Sequence, residues 1–261
     1  MLFIRLLIAF IAFAVLHGRA EAGRDVLLLG VGGNSECFSN GGIKKLFNRA
    51  GDPRGAKLAT DLLHLPNARS IQLENHYFSW TGDPEKDEGC ITKNPDWVLG
   101  GSDYIRTQLK AVAGRTIVII GWSNGGATAY ELACLLEREK DVTVSLLVTL
   151  DPAAWTTTPC PTYPARRWIG VYTKSDGLLQ KLRFSNIIAY FGAAWNNTFP
   201  TSERQRAHPL FKLEPAEHGD TVEMWRNCVL NSDAYREWVR AAFGQYPLNP
   251  AKPTAPCDPP H

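Results

Sequence analysis

The sequence predicts an α/β protein, a mainly parallel sheet with helices on both faces. Three observations carry that expectation. Short, wholly apolar runs recur, among them Val26-Leu27-Leu28-Leu29 and Ile117-Val118-Ile119-Ile120, and strands of that kind must be covered on both sides. Segments with helical periodicity separate these runs, and the alternation persists over about 150 residues, the pattern of a parallel sheet with crossover helices. A chain of 261 residues is long enough to bury a full core as one domain.

Residues 1–22 stand apart. Arg5 supplies a positive start, residues 6–16 are uninterruptedly apolar, and Ala20-Glu21-Ala22 reads as a small-x-small cleavage site. The apolar stretch is too short to span a bilayer. A signal peptide, a secreted or periplasmic product and no stable membrane span are therefore expected. Residues 23–246 are expected to form the folded domain. The Pro-rich tail, 247–261, is either an extended strap or a loose end.

Five strands are expected. Residues 25–29 lead into Gly30-Val31-Gly32-Gly33, and residues 70–73 make a weaker second strand. Residues 116–120, 143–150 and 168–172 complete the set. Helices are expected over 41–50, 54–64, 102–113 and 126–139. In the last, Ala129, Leu132, Ala133 and Leu136 form an apolar face, and Glu137 to Lys140 end it in water. Asp220-Thr221-Val222-Glu223 has the spacing of a capping box, opening a helix with Val222, Trp225 and Val229 on one face.

Composition narrows the partners. A formal charge of +2, with no Lys/Arg-rich run, gives no purchase for nucleic acid. The expected partner is a small-molecule or lipid ester, for reasons given below. All six cysteines follow the first 22 residues, which fits disulfides in an oxidising compartment. Cys37–Cys90 and Cys228–Cys257 are guesses at pairing, and Cys134, in an apolar helix, is equally a buried thiol. No cysteine or histidine spacing suits a metal, and no cofactor is implied. Asn196-Asn197-Thr198 is a glycosylation sequon, meaningful in a eukaryotic host.

The chemistry centres on Gly121-Trp122-Ser123-Asn124-Gly125. This Gly-x-Ser-x-Gly follows one expected strand and opens one expected helix, the strand–turn–helix setting of a strained nucleophilic serine. Its glycines let strand and helix approach without Cβ clashes. A serine hydroxyl needs a base, and His218, on the loop before the Asp220 helix, suits that role. His208, before Pro209, is the reserve. The imidazole in turn needs an acid. Asp151, ending 143–150, and Asp176, just beyond 168–172, both lie after an expected strand and between the serine and the histidine in chain order. The backbone N–H of Asn124 is one expected oxyanion donor, and Val31 or Gly32 the other. Gly30-x-Gly32 also opens like a dinucleotide fingerprint, but Ser35 occupies the third glycine position and no acidic residue ends a second strand at the required distance.

With these residues in hand, the chain resembles the α/β-hydrolase superfamily, and more narrowly its secreted lipases and esterases. Gly121 to Gly126 match the family's Gly-x-Ser-x-Gly-Gly, and Leu150-Asp151-Pro152-Ala153 looks like the segment in which pancreatic-type lipases carry their acid, a resemblance that favours Asp151 and leaves Asp176 in reserve. The resemblance implies an α/β-hydrolase fold and ester cleavage through an acyl-Ser123 intermediate. It departs at Trp122, where many lipases have His, at the oxyanion loop, which lacks their His-Gly, and in the lack of a second domain. Trp122 and Trp155 are candidates for the substrate pocket, and the greasy residues 178–195 for a lid or a core helix. Thioesterase, peptidase or acyltransferase chemistry on the same scaffold, or a non-catalytic binding protein keeping the fold, are the alternatives.

Overall fold

Each of the five expected strands forms, and two more join them. The structure, a computed structural model, describes residues 24–33, 42–49, 60–65, 71–78, 112, 114–140, 142–152, 160–173, 207–214, 219–248 and 252–258. Strand β1 (Arg24–Val31) is followed by helix α1 (Gly42–Arg49), β2 (Ile71–Phe78), β3 (Thr116–Trp122), α2 (Asn124–Lys140), β4 (Leu146–Leu150) and β5 (Trp168–Thr173). Then come β6 (Leu210–Leu213), a helical segment α3 that is α-helical over Thr221–Glu223 and π-helical over Met224–Val229, α4 (Asp233–Phe243), and β7 (Cys257–Asp258). The expected helix over 102–113 and most of that over 54–64 lie outside the described residues, as do residues 1–22.

The strands form one sheet in the order β2-β1-β3-β4-β5-β6-β7. Neighbours are parallel from β2 through β6, and β7 alone is antiparallel to its partner. Alternation along β1 divides the core. Val26 and Leu28 pack on one face with Ile43 of α1, Trp225 of α3 and Tyr235 and Trp238 of α4. Leu27, Leu29 and Val31 pack on the other with Ala127, Tyr130, Leu132 and Ala133 of α2. Helices thus cover both faces, which is why β1 and β3 carry no polar residue in their buried stretches, and β4 only Thr149, whose hydroxyl accepts from Trp168 Nε1–H at 3.1 Å.

Helix α2 starts at Asn124, earlier than the expected 126, because the chain turns sharply at Ser123 and the N–H of Gly126 already donates to the Ser123 carbonyl, 2.9 Å. The capping box expected at Asp220 is corrected. Asp220 has φ −82° and ψ 46°, outside the extended conformation a capping side chain needs, and makes no cap hydrogen bond. Glu223 instead turns to Asn227 and to Thr254 of the tail.

The tail is a strap over its described part. Residues Cys257–Asp258 pair with Leu213 and Lys212 of β6, Thr254 N–H donates to Asn227 Oδ1 at 2.9 Å, and Cys257 is disulfide-bonded to Cys228 of α3. Cys134 is not a free thiol: it is bonded to Cys160, whose N–H donates to the Tyr130 hydroxyl, 2.7 Å. Cys37 and Cys90 lie outside the described residues. Among the described residues no helix is long and apolar enough to cross a membrane.

Candidate active site

The strand order reverses between β1 and β3. From β1 the chain moves outward to β2, and from β3 it moves the other way through β4, β5 and β6. Connections that leave adjacent parallel strands in opposite directions open a crevice at their carboxyl ends, where open α/β sheets bind ligands. Two segments leave the sheet at that crevice, Gly32-Gly33 after β1 and Ser123 after β3.

Ser123 has φ 56°, a left-handed conformation that costs a non-glycine residue about 1–2 kcal/mol. The surroundings hold it there: its N–H donates to the Leu150 carbonyl at 3.1 Å, and its own carbonyl caps Gly126. The flanking glycines are required by contact. A Cβ on Gly125 would collide with the carbonyl oxygens of Val31 and Gly32, and one on Gly121 would come within 2.7 Å of the Ala129 methyl. Asn124 is buried at the first position of α2, with its carbonyl accepting from the Thr128 hydroxyl at 3.1 Å. The N–H groups of a helix's first turn have no intrahelical acceptor and lie at the positive end of its dipole.

The glycine arm after β1 reaches the serine, but one residue later than expected. The N–H of Gly32 donates to the Phe78 carbonyl, 2.7 Å, and Val31 is held in ladders with both Phe78 and Gly121. The Gly32 N–H is thus taken up in holding the arm to the sheet. Gly33 is the residue that faces the serine. A Cβ built there would stand 2.8 Å from Ser123 Cβ and 2.9 Å from two atoms of the Trp122 ring. Trp122 is half-buried and flanks the same space.

Asp151 also has a left-handed backbone, φ 43°. It follows β4, beside the elbow, because Trp122 and Leu150 are register partners. Its carboxylate is held on both oxygens by Thr173 at the end of β5: Oδ1 accepts the backbone N–H at 3.2 Å and Oδ2 the hydroxyl at 2.7 Å. Its own N–H donates to the Val171 carbonyl, 2.6 Å. Ser123 and Asp151 are therefore brought to one edge of the sheet, on neighbouring strands, with the carboxylate leaning toward the third. Strand spacing makes that an interval of about 5–10 Å, the span of one ring hydrogen-bonded on both sides.

His218, Trp155, Asp176 and residues 178–195 lie outside the described residues. The described chain on either side of His218 is informative. Strand β6 runs parallel to β5 and ends at Leu213, on the same edge as Ser123 and Asp151, and the chain is described again from Gly219 into α3. His208 is at the wrong end: it is exposed and its N–H donates to the Trp168 carbonyl at the start of β5, about 17 Å of strand from the carboxyl edge. His76 lies on the edge strand β2 and is engaged by Glu74. For His64, burial lowers the pKa and nearby Asp61 raises it to a smaller extent, so this ring is biased toward neutrality.

A cavity of about 230 Å³ lies at the other side of the sheet, between Phe211, Asn227, Cys228 and the strap residues Pro253 and Pro256. It belongs to the seam of β6, α3 and the tail, three strands from β3. Sequence reasoning missed Gly33 and Thr173. The first was visible as one of the glycines of the arm, but nothing in the sequence said which of them meets the serine. Nothing marked Thr173, whose role depends on the β4–β5 register. Scans of family models, curated proteins and solved structures each return no match to this chain.

Proposed function

We propose that this chain is a secreted serine hydrolase of the α/β-hydrolase type, cleaving carboxylic esters through an acyl-Ser123 intermediate. The observation that carries the reading is the backbone of Ser123. A left-handed serine between a buried strand and a buried helix, with a glycine arm against its Cβ at the sheet's switch point, is a costly arrangement for a serine with no chemical task. The disulfides and the signal-like segment 1–22 support secretion.

Ser123 Oγ attacks the ester carbonyl carbon while His218 takes its proton, and Asp151 orients the imidazole and stabilises its cation. The carbonyl oxygen becomes an oxyanion facing Asn124 N–H and the glycine arm at Gly33. The C–O bond to the alcohol then breaks, His218 returns the proton to the departing alkoxide, and water, activated by the same imidazole, releases the acid from Ser123. The two Thr173 hydrogen bonds fix the Asp151 carboxylate in place.

The test is hydrolysis of short- and long-chain p-nitrophenyl esters by the mature protein beside Ser123→Ala. Activity abolished in the variant supports the reading, and the chain-length preference describes the pocket. A folded wild type inert toward every ester overturns ester hydrolysis and leaves thioesterase, acyltransferase, peptidase or binding roles.

A further inference from the structure

The segment Leu150-Asp151-Pro152 touches the elbow on both sides of the proposed acid. Before Asp151, the Leu150 carbonyl accepts the Ser123 N–H at 3.1 Å. After it, Pro152 lies against the first turn of α2, so close that a Cβ on Gly126 would stand 2.9 Å from the Pro152 Cβ. The peptide joining Leu150 to Asp151 therefore links three strands. Its carbonyl holds Ser123 at the end of β3, and its N–H donates to the Val171 carbonyl of β5 at 2.6 Å.

Asp151 stands in the left-handed region, φ 43°, a conformation that persists only where the surroundings impose it. Strand β5 imposes it through the Val171 carbonyl, the Thr173 N–H at 3.2 Å and the Thr173 hydroxyl at 2.7 Å. Thr173 takes one carboxylate oxygen with each of its donors, so the carboxylate cannot turn without losing a charge-assisted bond. Thr173 is itself fixed. It ends β5 as the register partner of Leu213 in β6, which is buried, and its branched side chain has few rotamers open to it.

From this arrangement we infer that Thr173 is a positioning residue for the hydrolase reaction, acting through Asp151. The inference rests on the proposed serine-hydrolase function with Asp151 as its acid. The hydroxyl sets the direction of the carboxylate. By holding Asp151 it also steadies the Leu150 carbonyl that fixes the Ser123 backbone. Acid and nucleophile are thus oriented by one side chain, two strands from the serine. Such orientation matters when charge develops in the transition state and little when substrate merely binds.

The test measures ester turnover by the mature protein, with fluorophosphonate labelling of Ser123 as the check on the wild type. Thr173→Val removes the hydroxyl and keeps the shape and the backbone N–H. The expected result is a kcat lower by about tenfold or more with KM within about twofold, and Thr173→Ser, which keeps the hydroxyl, restores kcat. Asp151→Gly removes the carboxylate and suits the left-handed backbone. In that background Thr173→Val should change kcat by less than about twofold, because residues that act as a unit are not additive. Wild-type kcat in Thr173→Val, or an equal loss in both backgrounds, overturns the inference and leaves the serine-hydrolase reading intact. A wild type that neither labels at Ser123 nor turns over an ester overturns both. If Thr173→Val does not fold, Thr173→Ser beside Thr173→Ala decides: kcat kept by serine and lost by alanine sustains the hydroxyl's role, and equal rates refute it.

Discussion

Adding a single methyl group at Gly33 should separate catalysis from folding. The backbone of Gly33 is outside the left-handed region, where only Gly42, Gly114 and Gly244 fall among the described glycines, so Gly33→Ala meets no conformational strain and acts through contact alone. Its Cβ would stand 2.8 Å from Ser123 Cβ and 2.9 Å from the Trp122 ring. Carbon atoms pack at about 3.5–4.0 Å, so the arm and the elbow must separate by roughly 0.7–1.2 Å. Overpacking of this kind costs about 1–3 kcal/mol, or a Tm lower by roughly 3–10 °C for a chain of this size. A displacement near 1 Å at the reacting atoms costs about a hundredfold in rate. The assay is kcat/KM on p-nitrophenyl butyrate at 25 °C beside a thermal melt. A fall of about a hundredfold in a protein that melts cooperatively within that range is expected. Wild-type kcat/KM would refute the reasoning, because it would mean that the arm does not face the serine.

Other perturbations test separate parts of the account. Ser123→Gly relieves the left-handed strain that Ser123→Ala retains, so both should be inactive but the glycine variant more stable by about 1 kcal/mol net of its freer unfolded chain. That is a Tm higher by roughly 2–4 °C, and equal melting temperatures would contradict the strain argument. Asp151→Asn should lower kcat by about 10³–10⁴-fold while the protein stays folded; activity kept within a few-fold would move the acid to Asp176. Replacing both Cys228 and Cys257 by Ser opens a link of sequence separation 29, worth about 3.5 kcal/mol by loop entropy. A non-reducing melt should fall by roughly 7–14 °C, and an unchanged Tm would show that the strap is held without the disulfide.

What was legible in the sequence follows the burial of each strand. β1, β3, β4 and β5 are flanked by strands on both sides and covered by helices, so they appear as apolar runs. β2 is the sheet's edge, and its Gln72, Glu74, Asn75 and His76 cut the visible run to the first few of its eight residues. β6 escaped because it is a short strand, Leu210-Phe211-Lys212-Leu213, of which Leu213 alone is fully covered, and because Pro209 stands before it. β7 is shorter still and depends on a disulfide that spacing cannot choose. The elbow was readable for a different reason. Gly121 is fixed by contact with the helix that follows it and Ser123 by its own dihedral, which a short motif records; Gly125 lies in the same motif although its contact is with the arm after β1. The surroundings of that elbow are long-range: Gly33 is set by the β1–β3 register, and Thr173, which holds Asp151, by the β4–β5 register. No local pattern encodes those meetings. The Asp220 capping box shows the converse, a correct local pattern overruled when Glu223 found Asn227 and the tail.

The most direct test of the central claim is covalent. The folded mature protein would be treated with a fluorophosphonate at neutral pH and the adduct mapped by peptide mass spectrometry. The account predicts one stoichiometric adduct on Ser123, lost in Ser123→Ala and lost when the protein is unfolded before treatment. A folded protein that takes no adduct, or takes it on another serine, would contradict the claim that Ser123 is an activated nucleophile.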